Sequence, residues 1–118
     1  NGSPRYGGTP DDDSVLRLLA ELKARGYKVM VYPMLFMDVA GKPWRGTLTA
    51  AASAIPNFFT KTDGYNAFIT HYANLTKDYA DAFVIGSEFK ALTAVTDAPG
   101  SYPAVSQFVS LAATVKGI

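Results

Sequence analysis

Glu88 has the strongest claim to chemistry in this sequence. It follows an apolar run, Ala82-Phe83-Val84-Ile85, after two small residues, Gly86 and Ser87, that leave room around it. Such a run reads as a strand covered on both faces, which puts the carboxyl at the strand's C-terminal tip. In barrels of alternating strands and helices, catalytic groups sit at those tips. A carboxyl beside apolar surface loses hydration, which favours its protonated form and suits it to general-acid work. The same position also fits an exposed glutamate in a strand-to-helix loop, paired with Lys90.

Asp38 holds the matching place after an earlier apolar run, Val29-Met30-Val31-Tyr32. Alone it also reads as a loop-capping aspartate. Together with Glu88 it would give two acids at one edge of a sheet, and a double-displacement hydrolysis needs two carboxyls about 5–5.5 Å apart. Trp44, the sole tryptophan, and Arg45 lie in the long stretch between the two acids. An indole face suits stacking on a sugar ring, and a guanidinium offers a planar fork to hydroxyls or carboxylates. The pair equally describes a loop anchored by a buried indole. Tyr32 reads either as a buried strand tyrosine or as a group pointing up into a site. His71 falls in mid-helix, away from strand tips, and reads as a boundary residue. Gly7-Gly8 is too short for a phosphate cradle, and no glycine-rich fingerprint follows a strand. Gly86-Ser87-Glu88 lacks the flanking glycines of a nucleophile elbow.

The elements that must position these residues are legible in the periodicity. Thr9-Pro10-Asp11-Asp12-Asp13 reads as a helix start, with Thr9 as cap, Pro10 in the first turn and aspartates against the positive end of the helix dipole. Val15, Leu18, Leu19 and Leu22 follow as one apolar stripe, and Gly26 ends the helix in a left-handed conformation. A strand is expected over Lys28–Leu35, with Pro33 interrupting regular pairing. Residues 39–63 form a long connection without clear periodicity, of the kind that is usually functional, and Phe58 and Phe59 imply that its end packs down. Asp63 caps a second helix near Tyr65–Tyr79. A strand follows over Ala82–Ser87, then a loop or short helix. A last helix runs over Pro103–Lys116, with Val105, Phe108, Val109, Ala112 and Val115 on its buried face and Gly117 as its stop. Helix, strand, helix, strand, helix is an α/β order with parallel strands. Two strands make a poor sheet alone, so further strands are expected.

The 118 residues suit one domain, 1–118, and the 48% hydrophobic and 18% charged balance is that of a globular chain. The net charge of +1 comes from scattered bases and clustered acids, which argues against nucleic acid as a partner and against a polybasic membrane patch. Without cysteine there is no disulfide or thiolate site, and a single histidine makes a protein-only zinc site unexpected. No cofactor and no metal is expected. The longest apolar run, Val29 to Met37, is too short to insert across a membrane, and no signal peptide is visible at the start.

Six segments recur here in the order of a known family. They are Tyr6-Gly7-Gly8-Thr9-Pro10, Leu22-Lys23-Ala24-Arg25-Gly26, Tyr32-Pro33 with Met37-Asp38, Pro43-Trp44-Arg45-Gly46, His71-Tyr72-Ala73, and Asp81 through Glu88. On these the chain resembles the TIM-barrel-like domain of gene transfer agent and phage tail proteins, with a shortened long loop. That domain is similar to TIM-barrel glycoside hydrolases of the endo-β-mannanase type, which share a Trp-Arg-Gly loop and an Ile-Gly-Thr/Ser-Glu strand end. The resemblance implies a fragment of a (βα)8 TIM barrel, from after strand 2 through helix 4. A complete barrel takes about 250 residues.

By the same resemblance Glu88 is the acid/base of a retaining mechanism, and Trp44 and Arg45 belong to the substrate loop, with Asp38 and Tyr32 beside them. Ser87 stands where the wider clan has the asparagine that holds a sugar 2-hydroxyl. The nucleophile would come from a seventh strand, so the 118 residues alone are expected to be inactive. The implied partners are polysaccharide or peptidoglycan glycan and other tail proteins; separately, the bare strand edges of a partial barrel predict a homo-oligomer. The implied location is a virion or particle tail, made in the bacterial cytoplasm. The rival reading is a non-catalytic structural or glycan-binding tail module on the same scaffold.

Overall fold

The computed structural model describes residues 8–118. The opening segment 1–7, including Tyr6 and Gly7, lies outside the described residues. Helix α1 spans Asp12–Ala24. Its cap is Asp11 rather than Thr9: the Asp11 carboxylate accepts from the Ser14 amide at 2.7 Å. A carboxylate there satisfies an orphan amide of the first turn and meets the helix dipole, and the hydrogen bond from the Ser14 amide lowers the Asp11 pKa. At the far end Gly26 takes φ +79°. Its amide bonds Lys23 O, while the Tyr27 amide bonds Leu22 O. That pair of bonds is the Schellman stop.

Strand β1 is Met30–Val31 and β2 is Ala82–Phe83, and the two pair in parallel with Met30 opposite Ala82 and Val31 opposite Phe83. Adjacency and direction agree with the sequence reading, but the regular ladder is much shorter than Lys28–Leu35 and Ala82–Ser87. Pro33, buried one residue past Tyr32, has no amide to donate, so pairing stops there. The strands are also covered on one face only. Val31 and Phe83 are half-buried, whereas Met30 is 67% exposed and Ala82 is exposed.

The long connection is better ordered than its sequence implies. It holds 3₁₀ turns at Arg45–Thr47 and Ala52–Ala54, and a six-residue helix, α2, at Ile55–Thr60. Six residues are too few to display a helical period. Helix α3 spans Tyr65–Thr76, capped by Gly64 rather than Asp63, and the short α4 spans Lys90–Thr93. Helix α5 runs Pro103–Lys116 and ends at Gly117, as read from the sequence.

The core lies among α2, α3, α4 and α5 rather than between two sheet faces. Ile55, Phe59, Tyr65, Ile69, Phe89, Leu92, Ala104 and Leu111 form it, with Phe58, Phe68, Phe83 and Phe108 packed against it. Its rings meet edge to face: Phe59 and Phe108 centroids are 5.0 Å apart, Tyr65 and Phe89 5.3 Å, a favoured aromatic arrangement. This core corrects two expected helix faces. In α1, Leu19 is buried while Leu18 is 60% exposed. In α5, Ala104, Phe108, Leu111 and Val115 turn inward, and Val105, Val109 and Ala112 face out. Two apolar stripes compete on α5, and the one carrying Phe108 wins because it joins the aromatic cluster. The radius of gyration is 15.5 Å, against roughly 13.5 Å for a compact chain of this length, so the unit is open.

Candidate functional site

Past β2 the backbone runs close against the core. Gly86 lies where a Cβ would meet the Tyr65 hydroxyl at 2.8 Å, the Phe108 ring at 3.0 Å and the Phe89 ring at 3.1 Å. Only glycine lets the chain pass that close to the core. Tyr65, 2% exposed, donates from its hydroxyl to Ile85 O at 2.9 Å and pins the strand's exit. Burial pushes the Tyr65 phenol well above its ordinary pKa. Two residues on, Glu88 adopts φ +58°. A non-glycine residue there is uncommon, and such strain persists where surrounding contacts over-determine it.

Those contacts are visible. Arg45 donates from Nη2 to Glu88 Oε2 in an ion pair, and the Trp44 indole Nε1 donates to the same oxygen at 3.2 Å. The cation is the buried member: Arg45 is 9% exposed, while the Glu88 side chain is 48% exposed. Trp44 is 53% exposed, so it is not the buried anchor that its loop position also allowed. Its indole folds back over Gly46, where a Cβ would collide with the ring. The turn is fixed by Thr47, whose hydroxyl donates to Trp44 O at 2.8 Å. Beside Glu88, Ser87 Oγ shares a hydrogen bond with the Tyr32 hydroxyl. Tyr32 is half-buried and lies just past β1, so the bond ties the exits of the two strands together.

The structure therefore brings four of the five sequence-predicted residues together: Glu88, Arg45 and Trp44 directly, and Tyr32 through Ser87. Asp38 is exposed and is not among the groups that hold Glu88 within the described residues. Lys90 is not the partner of Glu88; Arg45 takes that place. His71 lies elsewhere, against Asp12 of α1 at 3.1 Å, in keeping with a boundary role. Tyr65 escaped the sequence reading as part of the site, and the close packing at Gly46 and Gly86 was not foreseen. The Trp-Arg-Gly spacing was the only signal for Gly46, and long-range packing decides Tyr65 and Gly86.

The opposite end of the strand pair has its own carboxylate. Asp81 accepts from the Val29 amide at 2.9 Å, from Lys23 Nζ at 3.1 Å and from Lys28 Nζ at 3.1 Å. The Val29 hydrogen bond, then the two lysines, hold its carboxyl far below the usual carboxylate range.

Among the described residues no group of three or more histidine, cysteine, aspartate or glutamate side chains is gathered as a metal site would need. No helix there is long and apolar enough to cross a membrane.

No curated protein and no solved structure matches the chain. The family model for the GTA TIM-barrel-like domain matches residues 63–118. The matched stretch holds α3, β2, α4 and α5, together with Ser87 and Glu88. It is narrower than the resemblance read from Tyr6 onward, and Tyr32, Trp44 and Arg45 precede it. Over that stretch the chain is similar to the GTA TIM-barrel-like domain.

Proposed function

We propose that the chain is part of a glycoside hydrolase-like barrel domain of a gene transfer agent or phage-type tail protein, acting on cell-envelope glycan. The observation that carries this reading is the convergence of Trp44, Arg45 and Glu88 at the C-terminal edge of a parallel strand pair, the edge that barrels use for chemistry. The family match over residues 63–118 supports the particle setting. In the complete barrel Glu88 protonates the leaving oxygen and later activates water, and a second carboxyl about 5–5.5 Å away is the nucleophile. That carboxyl comes from outside the cluster, because the groups that hold Glu88 are a cation and an indole. Trp44 gives a sugar ring an exposed indole face. Further partners are other tail proteins and, through the unpaired outer edges of β1 and β2, a second copy of the chain.

One observation favours a non-catalytic glycan-binding module instead. Glu88 is engaged by a nearly buried arginine, and a general acid must be free to carry its proton. Glu88→Gln in the full-length protein separates the two readings. With the enzyme, turnover of cell-wall glycan collapses while binding persists. With the binding module, neither version turns glycan over and both bind. Unchanged turnover in the variant removes Glu88 as the acid.

A further inference from the structure

Arg45 uses little of its donor capacity. A guanidinium carries five N–H donors in a rigid fork and can never shed its charge. Here Nη2 serves Glu88, and the buried Nε finds no acceptor among the described residues. A buried, unanswered donor on a charged group is costly, and native structures seldom keep one without a reason. Among the described residues, the one carboxylate on this fork belongs to a residue whose backbone is strained and whose side chain is half exposed. The neighbouring indole is also half exposed, and it too donates to that carboxylate. Glu88 and Trp44 are thus the solvent-facing parts of the cluster, and Arg45 is its buried part.

Resting on the glycan reading above, we infer that Arg45 recognises a pyranose that carries a carboxylate, and that Glu88 occupies the place of that carboxylate until the sugar arrives. The ligand's carboxylate takes the guanidinium side-on, engages Nε as well as an Nη nitrogen, and releases Glu88. Side-on pairing is the geometry that arginine offers and lysine does not. A neutral sugar cannot make the exchange and binds by stacking and hydroxyl contacts alone. The selectivity follows from the buried charge, and the latch from the strained residue that covers it.

The test is calorimetric titration of the full-length protein with two matched pairs of probes. One pair is a hexuronic acid oligosaccharide and its carboxyl-reduced form. The other is a peptidoglycan disaccharide bearing a lactyl carboxylate and its methyl ester. The acidic member of at least one pair should bind about tenfold tighter or more, the scale of a charge-assisted hydrogen bond, and the responding pair identifies the source of the carboxylate. Glu88→Gln removes the competing charge and should tighten acidic binding while leaving the neutral probes unchanged, a gain that misfolding cannot imitate. Arg45→Lys should lose most of the preference. Equal affinity within both pairs, with binding intact, overturns the inference and spares the glycan reading. Weaker acidic binding in Glu88→Gln also overturns it. No binding of any probe overturns both.

Discussion

At one end of the β1–β2 pair, Asp81 is ringed by the Val29 amide and two lysines; at the other, Glu88 is held by Arg45 and Trp44. Both are carboxylates that join segments more than forty residues apart in sequence, yet their settings are opposite. Asp81 has ordinary surroundings, an amide and flexible ammonium groups, and it stitches the end of α1 to the start of both strands. Glu88 sits on a left-handed backbone against a buried, rigid guanidinium and beneath an exposed indole. The first arrangement does what any tie between elements needs. The second costs conformational energy that a simple tie would not require, which is what the proposed role of the C-terminal edge as the working end predicts.

Three substitutions sharpen or break this contrast. The largest stability effect is expected from Gly86→Ala, because the new methyl would press on the Tyr65 hydroxyl and on two core rings. Overpacking of this kind costs about 1–3 kcal/mol, measurable as a lower urea midpoint. A neutral result would show that the tip is not shaped by the core beneath it. Next is Gly46→Ala. The methyl collides with the outer edge of an indole that is half exposed, so the ring should swing away and little stability should be lost. The hydrogen bond from Trp44 to Glu88 goes with it. Emission from the sole tryptophan should shift, and binding of a neutral glycan should weaken as the exposed indole face moves away.

The third is Tyr65→Phe, which deletes the bond to Ile85 O and should cost about 1 kcal/mol of stability without touching the cluster's own contacts. It carries a pH signature. Burial raises the folded-state pKa of Tyr65 above its unfolded value near 10, and Tyr72 is shifted in the same sense. The stability from the neutral phenol is therefore complete below about pH 10 and is lost as pH rises through the folded value. The alkaline loss of stability should be shallower in Tyr65→Phe.

The residues that gather around Glu88 were mostly legible in the sequence, and the scaffold beneath them less so. The α/β order, the parallel pairing and the limits of α5 were legible because apolar runs and proline or glycine boundaries are local signals. The meeting of Glu88 with Arg45 was not readable from spacing, since it depends on how residues 45–47 turn back over the strand tip. The buried face of α5 was misread because Val105 and Val109 look as apolar as Phe108 and Leu111, and only the aromatic cluster decides between the stripes. Helix α2 was missed because six residues show no period, and its Phe59 proves to be a centre of the core. Asp81 drew no notice as a tie because its partners lie 52 to 58 residues away in sequence.

The account rests on a division of labour between the two carboxylates, and a crossed measurement tests it directly. Asp81→Asn and Glu88→Gln are made in the full-length protein, and each is assayed for urea stability between pH 3 and 7 and for glycan turnover and binding. The folded-state pKa of Asp81 is depressed, so its contribution is present above the ordinary aspartate value of about 3.9 and is lost as pH falls toward the folded value. Asp81→Asn should lower stability at pH 7, flatten the acid limb, and leave turnover and binding intact wherever the protein stays folded. Glu88→Gln should reduce turnover by about 10²–10⁴-fold. If Glu88→Gln instead reproduces the stability loss of Asp81→Asn with glycan handling untouched, Glu88 is a second structural tie and the C-terminal edge is not the working end.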